Sequence, residues 1–271
     1  MNKKTINKEI EDTFKSSLSI EFSLDGFSFC TYDRNNEAYH FSSYQFLETL
    51  NSPELILEKI KQVFESEKSL HKDFEKVTVI HQNNLSSLVP NEYFSETSLK
   101  DYLKYSVRTI TSDLIVFDNL DFLTSKNVYI PYVNINNFLF QNFGEFEYRH
   151  HSSVLLEKLF LKSNSKINFF VHVSKSIFDI VVIKDSKLLY YNIFDYETKE
   201  DFIYYILFAL EQLGLSPEKT MVTLTGDIET SSDLYKILFT YIKNINFLES
   251  KNAIFKSQKA ITNHSNIILL G

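Results

Sequence analysis

The sequence predicts a mixed α/β chain of two lobes, each with a mixed β-sheet flanked by helices. Three observations predict it. An alternating hairpin opens the chain, the same order of elements returns about 150 residues later, and the composition is that of a folded protein. Of 271 residues, 44% are hydrophobic and 23% charged, and 25 Phe and 16 Tyr with no Trp point to an aromatic core.

The hairpin comes first. Leu18, Ile20, Phe22 and Leu24 alternate with Ser19, Glu21 and Ser23, then Asp25-Gly26 leads to Phe27, Phe29 and Thr31. Period-two alternation broken by Asp-Gly is a hairpin signal. A two-residue turn pairs Leu24 with Phe27 and Phe22 with Phe29, setting those four on one core face. After a turn over Asp33 to Asn36, a third strand covers 37–42. A helix follows, capped by Ser52 with Pro53 in its first turn, and Leu55, Ile56, Ile60, Val63 and Phe64 form its stripe. Val77, Val79 and Ile80 read as the closing strand.

The second copy runs from a strand over 167–173 through a turn at Ser174 to Ser176, then strands over 177–183 and 188–194 joined at Asp185-Ser186. Thr198 and Asp201 box the start of a helix with Phe202, Tyr205, Ile206, Ala209 and Leu213 inward, and Gly214 stands at its end. Residues 221–224 read as its last strand. Between the copies, 114–117 and 128–130 read as strands, and Ser152 or Ser153 caps a helix carrying Val154, Leu155, Leu159 and Phe160. Ser232 opens a further helix with Leu234, Ile237, Leu238 and Tyr241 inward, and 267–270 reads as a short apolar strand. The expected lobes are residues 1–148 and 149–271.

Composition also excludes. A net charge of −7 disfavours a nucleic-acid surface, which needs clustered Lys and Arg. No apolar run nears the roughly 20 residues of a membrane span. Glu9, Glu11 and Asp12 follow Lys3 and Lys4 where a signal peptide would be apolar, and the lone Cys30 forms no internal disulfide, so a reducing cytoplasm is expected. The seven histidines show no ligand spacing, and the adjacent His150 and His151 are expected to point apart. Cys30, paired across the hairpin with Glu21, reads as a packed thiol. The aromatic stretch 137–151, ending in Arg149-His150-His151, reads as core or inter-lobe packing, with a protein-partner surface as the alternative and base stacking on nucleic acid as a third, against which Glu145 and Glu147 stand.

Duplicated units of this kind resemble the actin, hexokinase and chaperone-ATPase superfamily. More narrowly, LSIEFSLDGFSF from Leu18, YIPYVNINNF from Tyr129 and TKEDFIYYILF from Thr198 resemble a DUF3822-like uncharacterised family of Bacteroidota proteins. That resemblance covers essentially the whole chain. It implies an actin-like fold of two ribonuclease-H-like lobes with a cleft between them, and brings no established activity.

In that superfamily each lobe offers an Asp-x-Gly phosphate loop at its first hairpin turn, where backbone N–H groups approach phosphate without a Cβ in the way. Gly26 stands for the glycine and Ser28 for a phosphate-facing hydroxyl, but Leu24 replaces the aspartate and Asp25 is out of register by one. The second turn, Ser174-Lys175-Ser176, has neither residue. The Gly-Gly pair that receives adenosine is reduced to Thr225-Gly226-Asp227. Of five glycines, Gly271 is terminal and Gly214 caps a helix, so too few remain to rebuild three loops. Asp25, Asp118, Asp121, Asp227 and Glu229 are the carboxylates that would hold Mg2+, with a plain reading as turn and cap residues.

The expectation is a non-catalytic binding or scaffolding protein with degenerate nucleotide loops, a pseudo-ATPase whose partner is another protein. No catalytic residue, metal ligand or cofactor is assigned. The alternative is a divergent ATPase with ATP and Mg2+ in the cleft, at Asp25, Gly26, Ser28, Thr225, Gly226 and Asp227. A nucleic-acid processing protein built on one lobe would need three or four clustered carboxylates, and the acids here are scattered.

Overall fold

Alternation and helical periodicity in this chain resolve into two units in a computed structural model, chiefly Met1–Val154 and Leu155–Lys251 with Thr262–Leu269. The described residues are 1–7, 16–33, 35, 37–47, 50, 52–105, 107, 109–110, 112–164, 166–256 and 262–270. Glu9, Glu11, Asp12, Asn36 and Gly271 lie outside them.

The first unit starts with β1 (Asn2–Asn7), β2 (Ser16–Phe22), β3 (Gly26–Tyr32) and β4 (Ala38–Gln45), then α1 (Pro53–Ser66) and β5 (Phe74–His81). It continues with β6 (Ser86–Pro90), α2 (Leu99–Leu103), β7 (Val116–Leu120), β8 (Ser125–Tyr129), α3 (Val133–Phe143), β9 (Glu147–His150) and the start of α4 (His151–Lys162). The second unit holds β10 (Asn168–Val173), β11 (Ile177–Lys184), β12 (Lys187–Asp195), α5 (Lys199–Gln212), β13 (Met221–Gly226), α6 (Asp233–Tyr241), β14 (Asn244–Phe247) and the one-turn helix α7 (Ile267–Leu270).

The main sheet of the first unit runs β1-β4-β3-β2-β5-β9, and the sheet of the second runs β12-β11-β10-β13-β14. In each, an antiparallel meander is followed by a strand parallel to its first member and by another parallel to that one. The orders coincide except that β1 covers β4. Helices flank both mixed sheets, as expected of a duplicated actin-like frame.

The duplication extends to single hydrogen bonds. Ser23 N donates to Gly26 O at 3.0 Å, and Ser174 N to Ile177 O at 2.9 Å. Phe46 N donates to Asp25 O at 2.9 Å, and Tyr196 N to Ser176 O at 3.2 Å. Gln82 N reaches Phe22 O at 2.8 Å, and Asp227 N reaches Val173 O at 2.6 Å. Each turn is thus closed, roofed by the chain leaving the third strand, and clamped by the chain leaving the parallel strand.

Several expected details shift. Phe22 pairs with Phe27 and Ile20 with Phe29, so the turn is Leu24-Asp25, one residue earlier than Asp-Gly predicts. Cys30 accordingly faces Ser19, not Glu21. The cause is Gly26: a Cβ there would lie 2.6 Å from Tyr44 O, so glycine is consumed by the close approach of β4 and its φ is not positive. The three phenylalanines still share the core face with the partly buried Leu24 packed against them, and Phe22 and Phe27 stack at 5.1 Å.

Ser52 caps α1 as expected, while Leu55 is turned outward. The stretch at 137–143 is helical: Ile135, Phe138, Leu139 and Phe143 pack inward at helical spacing, and Phe140 is exposed. The expected strand at 267–270 is a helical turn whose Ile267 and Ile268 carbonyls accept from Lys158 Nζ at 3.0 and 2.7 Å. Neither Ser152 nor Ser153 caps α4 from outside, since the helix already begins at His151 and both hydroxyls accept from Asn127 Nδ2 at 2.9 Å. The expected strands at 114–117 and 128–130 become β7 and β8, which with β6 form a separate three-stranded sheet on its own core of Val89, Leu103, Val107, Val128 and Ile130.

A buried polar knot marks the carboxyl ends of β5 and β9. His81 Nε2 lies 2.9 Å from Asn136 Oδ1, and Tyr132 N donates to His81 Nδ1 at 3.2 Å. These contacts require the neutral ring protonated at Nε2. Burial brings His81 down to about 4, the Asn136 contact opposing it. His150, with Nδ1 2.7 Å from Ser152 Oγ, is also held well below the usual range by burial and by neighbouring His151 and His81.

Because the folded state refuses protons that the unfolded chain accepts below about pH 6.5, stability is full above that value and falls as pH drops toward 4. His81 alone accounts for about 3 kcal/mol of that loss. Urea unfolding of the protein and of His81→Gln at a series of pH values checks this, the variant showing the shallower decline between pH 7 and 5.

Candidate functional site

The sequence points to three backbone turns as the only places where phosphate chemistry could survive. Two lie in the meanders and one at the end of β13. Asp25, Gly26 and Ser28 sit together on the β2–β3 hairpin of the first unit, and Thr225, Gly226 and Asp227 sit together at the carboxyl end of β13 in the second.

At the first turn the amides of Asp25 and Gly26 both donate to Ser23 Oγ, each at 3.1 Å. The carbonyls of Leu24 and Asp25 accept from Leu50 N and Phe46 N at 2.9 Å. One serine therefore occupies both donors a phosphate would require, and the turn's outer side is closed by main chain. Ser28 Oγ donates to Ser43 Oγ of β4 at 2.9 Å. At the second turn Ile177 fills the place of Gly26, and Tyr196 holds Ser174 O through its hydroxyl at 2.6 Å.

The end of β13 is more tightly enclosed. Gly226 has φ +89°, and a Cβ on it would meet Val173 O at 2.2 Å and Val173 N at 2.9 Å. Only glycine fits, and the neighbour that demands it is β10. Gly226 N donates to His264 O at 2.8 Å, Asp227 N to Val173 O at 2.6 Å, and Ile228 N to Gly226 O at 3.1 Å. Thr225 Oγ1 also donates to His264 O, at 2.7 Å. The His264 ring packs on Phe247 at 4.3 Å and lies 2.6 Å from Ile228 O through Nε2. Off the carboxyl ends of parallel strands, where open α/β sheets receive ligands, the chain's own segment around His264 is seated.

Among the candidate acids the Asp118 carboxylate is tied into the structure. Asp118 is buried, accepts from Tyr129 OH at 3.1 Å and His150 N at 2.9 Å, and its carboxyl is raised by burial against the pull of those bonds and of Arg149. Asp121 opens a short 3-10 turn, and Glu229 O takes Ser232 N and Oγ. Among the described residues no three His, Cys, Asp or Glu side chains gather in a metal-holding group. His150 and His151 do not point apart: their ring centroids lie 4.5 Å from each other. One ends a strand and the other begins a helix, so strand alternation does not apply. What sequence reasoning missed is Ser23 and His264. Ser23 is detectable as a serine two and three residues before the turn amides. His264 carries no local signal, being brought in from about 40 residues away.

The model of the family "Protein of unknown function (DUF3822)" matches residues 5–245. The chain belongs to this family. Among solved structures it is similar to a Bacteroides thetaiotaomicron protein with an actin-like ATPase fold and unknown function, at 23% identity over 86% of this chain and 91% of that one, TM-score 0.73. It is also similar to a chain of the PilM-PilN type IV pilus biogenesis complex, at 13% identity over 89% of each, TM-score 0.56. No curated protein matches it. These likenesses show the actin-like fold, and among the described residues no helix is long and apolar enough to cross a membrane.

Two glycine substitutions separate packing from turn geometry. Gly226→Ala is expected to cost about 3 kcal/mol or more, combining backbone overlap with a positive φ. Gly214→Ala, at φ +64° with open space around it, should cost only about 1–2 kcal/mol. Chemical denaturation of both variants measures the difference.

Proposed function

We propose that this member of the family is a non-catalytic binding or scaffolding protein, an actin-like frame whose nucleotide loops have been turned to internal bonding. One observation carries the reading: Asp25, Gly26, Gly226, Asp227 and Ile228 all spend their amides on acceptors within the protein. A triphosphate would have to displace the Ser23 hydroxyl, and an adenosine would have to displace the segment around His264. Each displacement leaves buried polar groups to be satisfied again, at about 1–3 kcal/mol apiece. ATP with Mg2+ does not fit the residues as they stand.

The Asp118 carboxylate supports the same reading. It is committed to Tyr129 and the main chain, and is not left open to a metal ion. The pilus biogenesis complex, one of the similar structures, offers a precedent for a chain of this fold held against another protein. A protein companion is the ligand class we assign.

A thermal melt with saturating Mg-ATP tests the reading. No shift is expected. A nucleotide present at about 100 times its dissociation constant would add roughly 2.7 kcal/mol, several degrees for a chain of this size. Such a shift, accompanied by turnover that disappears in Asp227→Asn, would overturn it.

A further inference from the structure

The duplication supplies one helix in two versions. α1 and α5 have 14 residues each, follow the third strand of their meanders, and are capped by Ser52 and Thr198. Counted from those caps, Ile56 corresponds to Phe202, Ile60 to Ile206, Val63 to Ala209 and Phe64 to Leu210, and all of them are buried. The inner faces match position by position.

The outer faces do not. Counted in the same way, Glu54 corresponds to Glu200, Glu58 to Tyr204, Gln62 to Phe208 and Glu65 to Glu211, and all of them are exposed. The acids at the two ends are common to both copies, and only the middle differs. Tyr204 is 61% exposed and Phe208 42%, and their rings, one helical turn apart, stack at 6.2 Å with 18° between their planes. The frame does not require rings at these positions, since α1 fills them with a carboxylate and an amide. Exposed apolar surface rimmed by polar groups is the form of an interaction site, and tyrosine is prominent among the residues that anchor one.

We propose that the outer face of α5 docks a cationic amphipathic segment of a partner protein, with apolar side chains on Tyr204 and Phe208 and a Lys or Arg at each end against Glu200 and Glu211. Charge selects this occupant. Among the described residues Glu211 has no ion-pair partner, and Glu200 lies 4.0 Å from Lys199, at the limit of an ion pair. Glu197, also exposed, adds negative charge just before the helix. Such a rim repels nucleic acid and an anionic membrane surface, and two copies packed antiparallel through this face would bring Glu200 of one toward Glu211 of the other. A cation is also attracted to the face of an aromatic ring. Glu200 and Glu211 stand about 16 Å apart along the helix, so the occupant's cations are separated by about three turns. That the occupant is a protein rests on the scaffolding reading, whereas the face itself is identified by comparing α5 with α1.

Fluorescence anisotropy of the full chain with two labelled synthetic helical peptides tests the proposal. One peptide carries two lysines about three turns apart with leucines between them on a single face, and the other has glutamates in place of the lysines. Binding of the lysine peptide in preference to the glutamate peptide is expected. Tyr204→Glu combined with Phe208→Gln, which gives α5 the outer face of α1, should weaken that binding about tenfold or more. Glu200→Lys combined with Glu211→Lys should transfer the preference to the glutamate peptide. Circular dichroism identifies any variant that fails to fold, and Phe208→Gln alone stands as the test if the aromatic double variant does. A lysine peptide that does not bind, that binds no better than the glutamate peptide, or that is indifferent to the aromatic substitutions overturns the proposal. A dimer in sedimentation that Tyr204→Glu abolishes overturns the choice of occupant. The Mg-ATP melt reads the closed turns separately, so failure here and failure of the scaffolding reading are told apart.

Discussion

A buried amide must have an acceptor, and the local form of both units follows from where theirs are found. At each meander turn the chain leaving the third strand donates into the turn, and the chain leaving the parallel strand donates to the last carbonyl of the first strand. These bonds fasten four segments, distant in sequence, at one point. An exterior anion could provide the same acceptors only if the interior ones were withdrawn. Ser23 and His264 are how this chain meets the requirement unaided.

With the turns closed, packing falls into place around them. Phe22, Phe27, Phe29 and Tyr44 meet Ile60, Val63 and Phe64 of α1 and Leu139 of α3 in the first unit. Phe178 packs on Phe202 at 4.9 Å, and Phe194 stacks on Tyr205 at 4.5 Å in the second. The aromatic composition is used twice in the same way, a layer of rings between sheet and helix, some stacked and some tilted or edge-on. The separate sheet of β6, β7 and β8 is joined to the start of α4 by a side-chain amide, Asn127, where a hydrophobic contact would also have served.

Much of this was legible in the residues. Alternation placed the hairpins, the Thr198 and Asp201 box placed α5, and the spacing between copies disclosed the duplication. The failures have specific causes. Asp25-Gly26 is a strong turn signal, but Gly26 was needed against Tyr44, a constraint visible only once β4 is laid beside β3. Phenylalanines at 138, 140 and 146 fit a period of two, which Phe143 breaks, and the buried Ile135 and Leu139 complete the helical spacing. Four apolar residues at the end of the chain carry no periodicity at all, so the Lys158 ammonium, not pattern, settles α7. The candidate loops were found because glycine and turn residues are local, whereas the groups that fill them arrive from elsewhere in the chain.

Gly226 has a consequence for how such sequences are scored. Its backbone angle and its contact with Val173 forbid any side chain, whatever binds nearby. A motif search would record it as the remnant of a nucleotide signature, and selection would preserve it with equal force in a protein that never meets ATP. In this chain the glycine after the closing strand is accounted for by the crowding of two neighbouring strands, so its presence is no signature of nucleotide binding by itself.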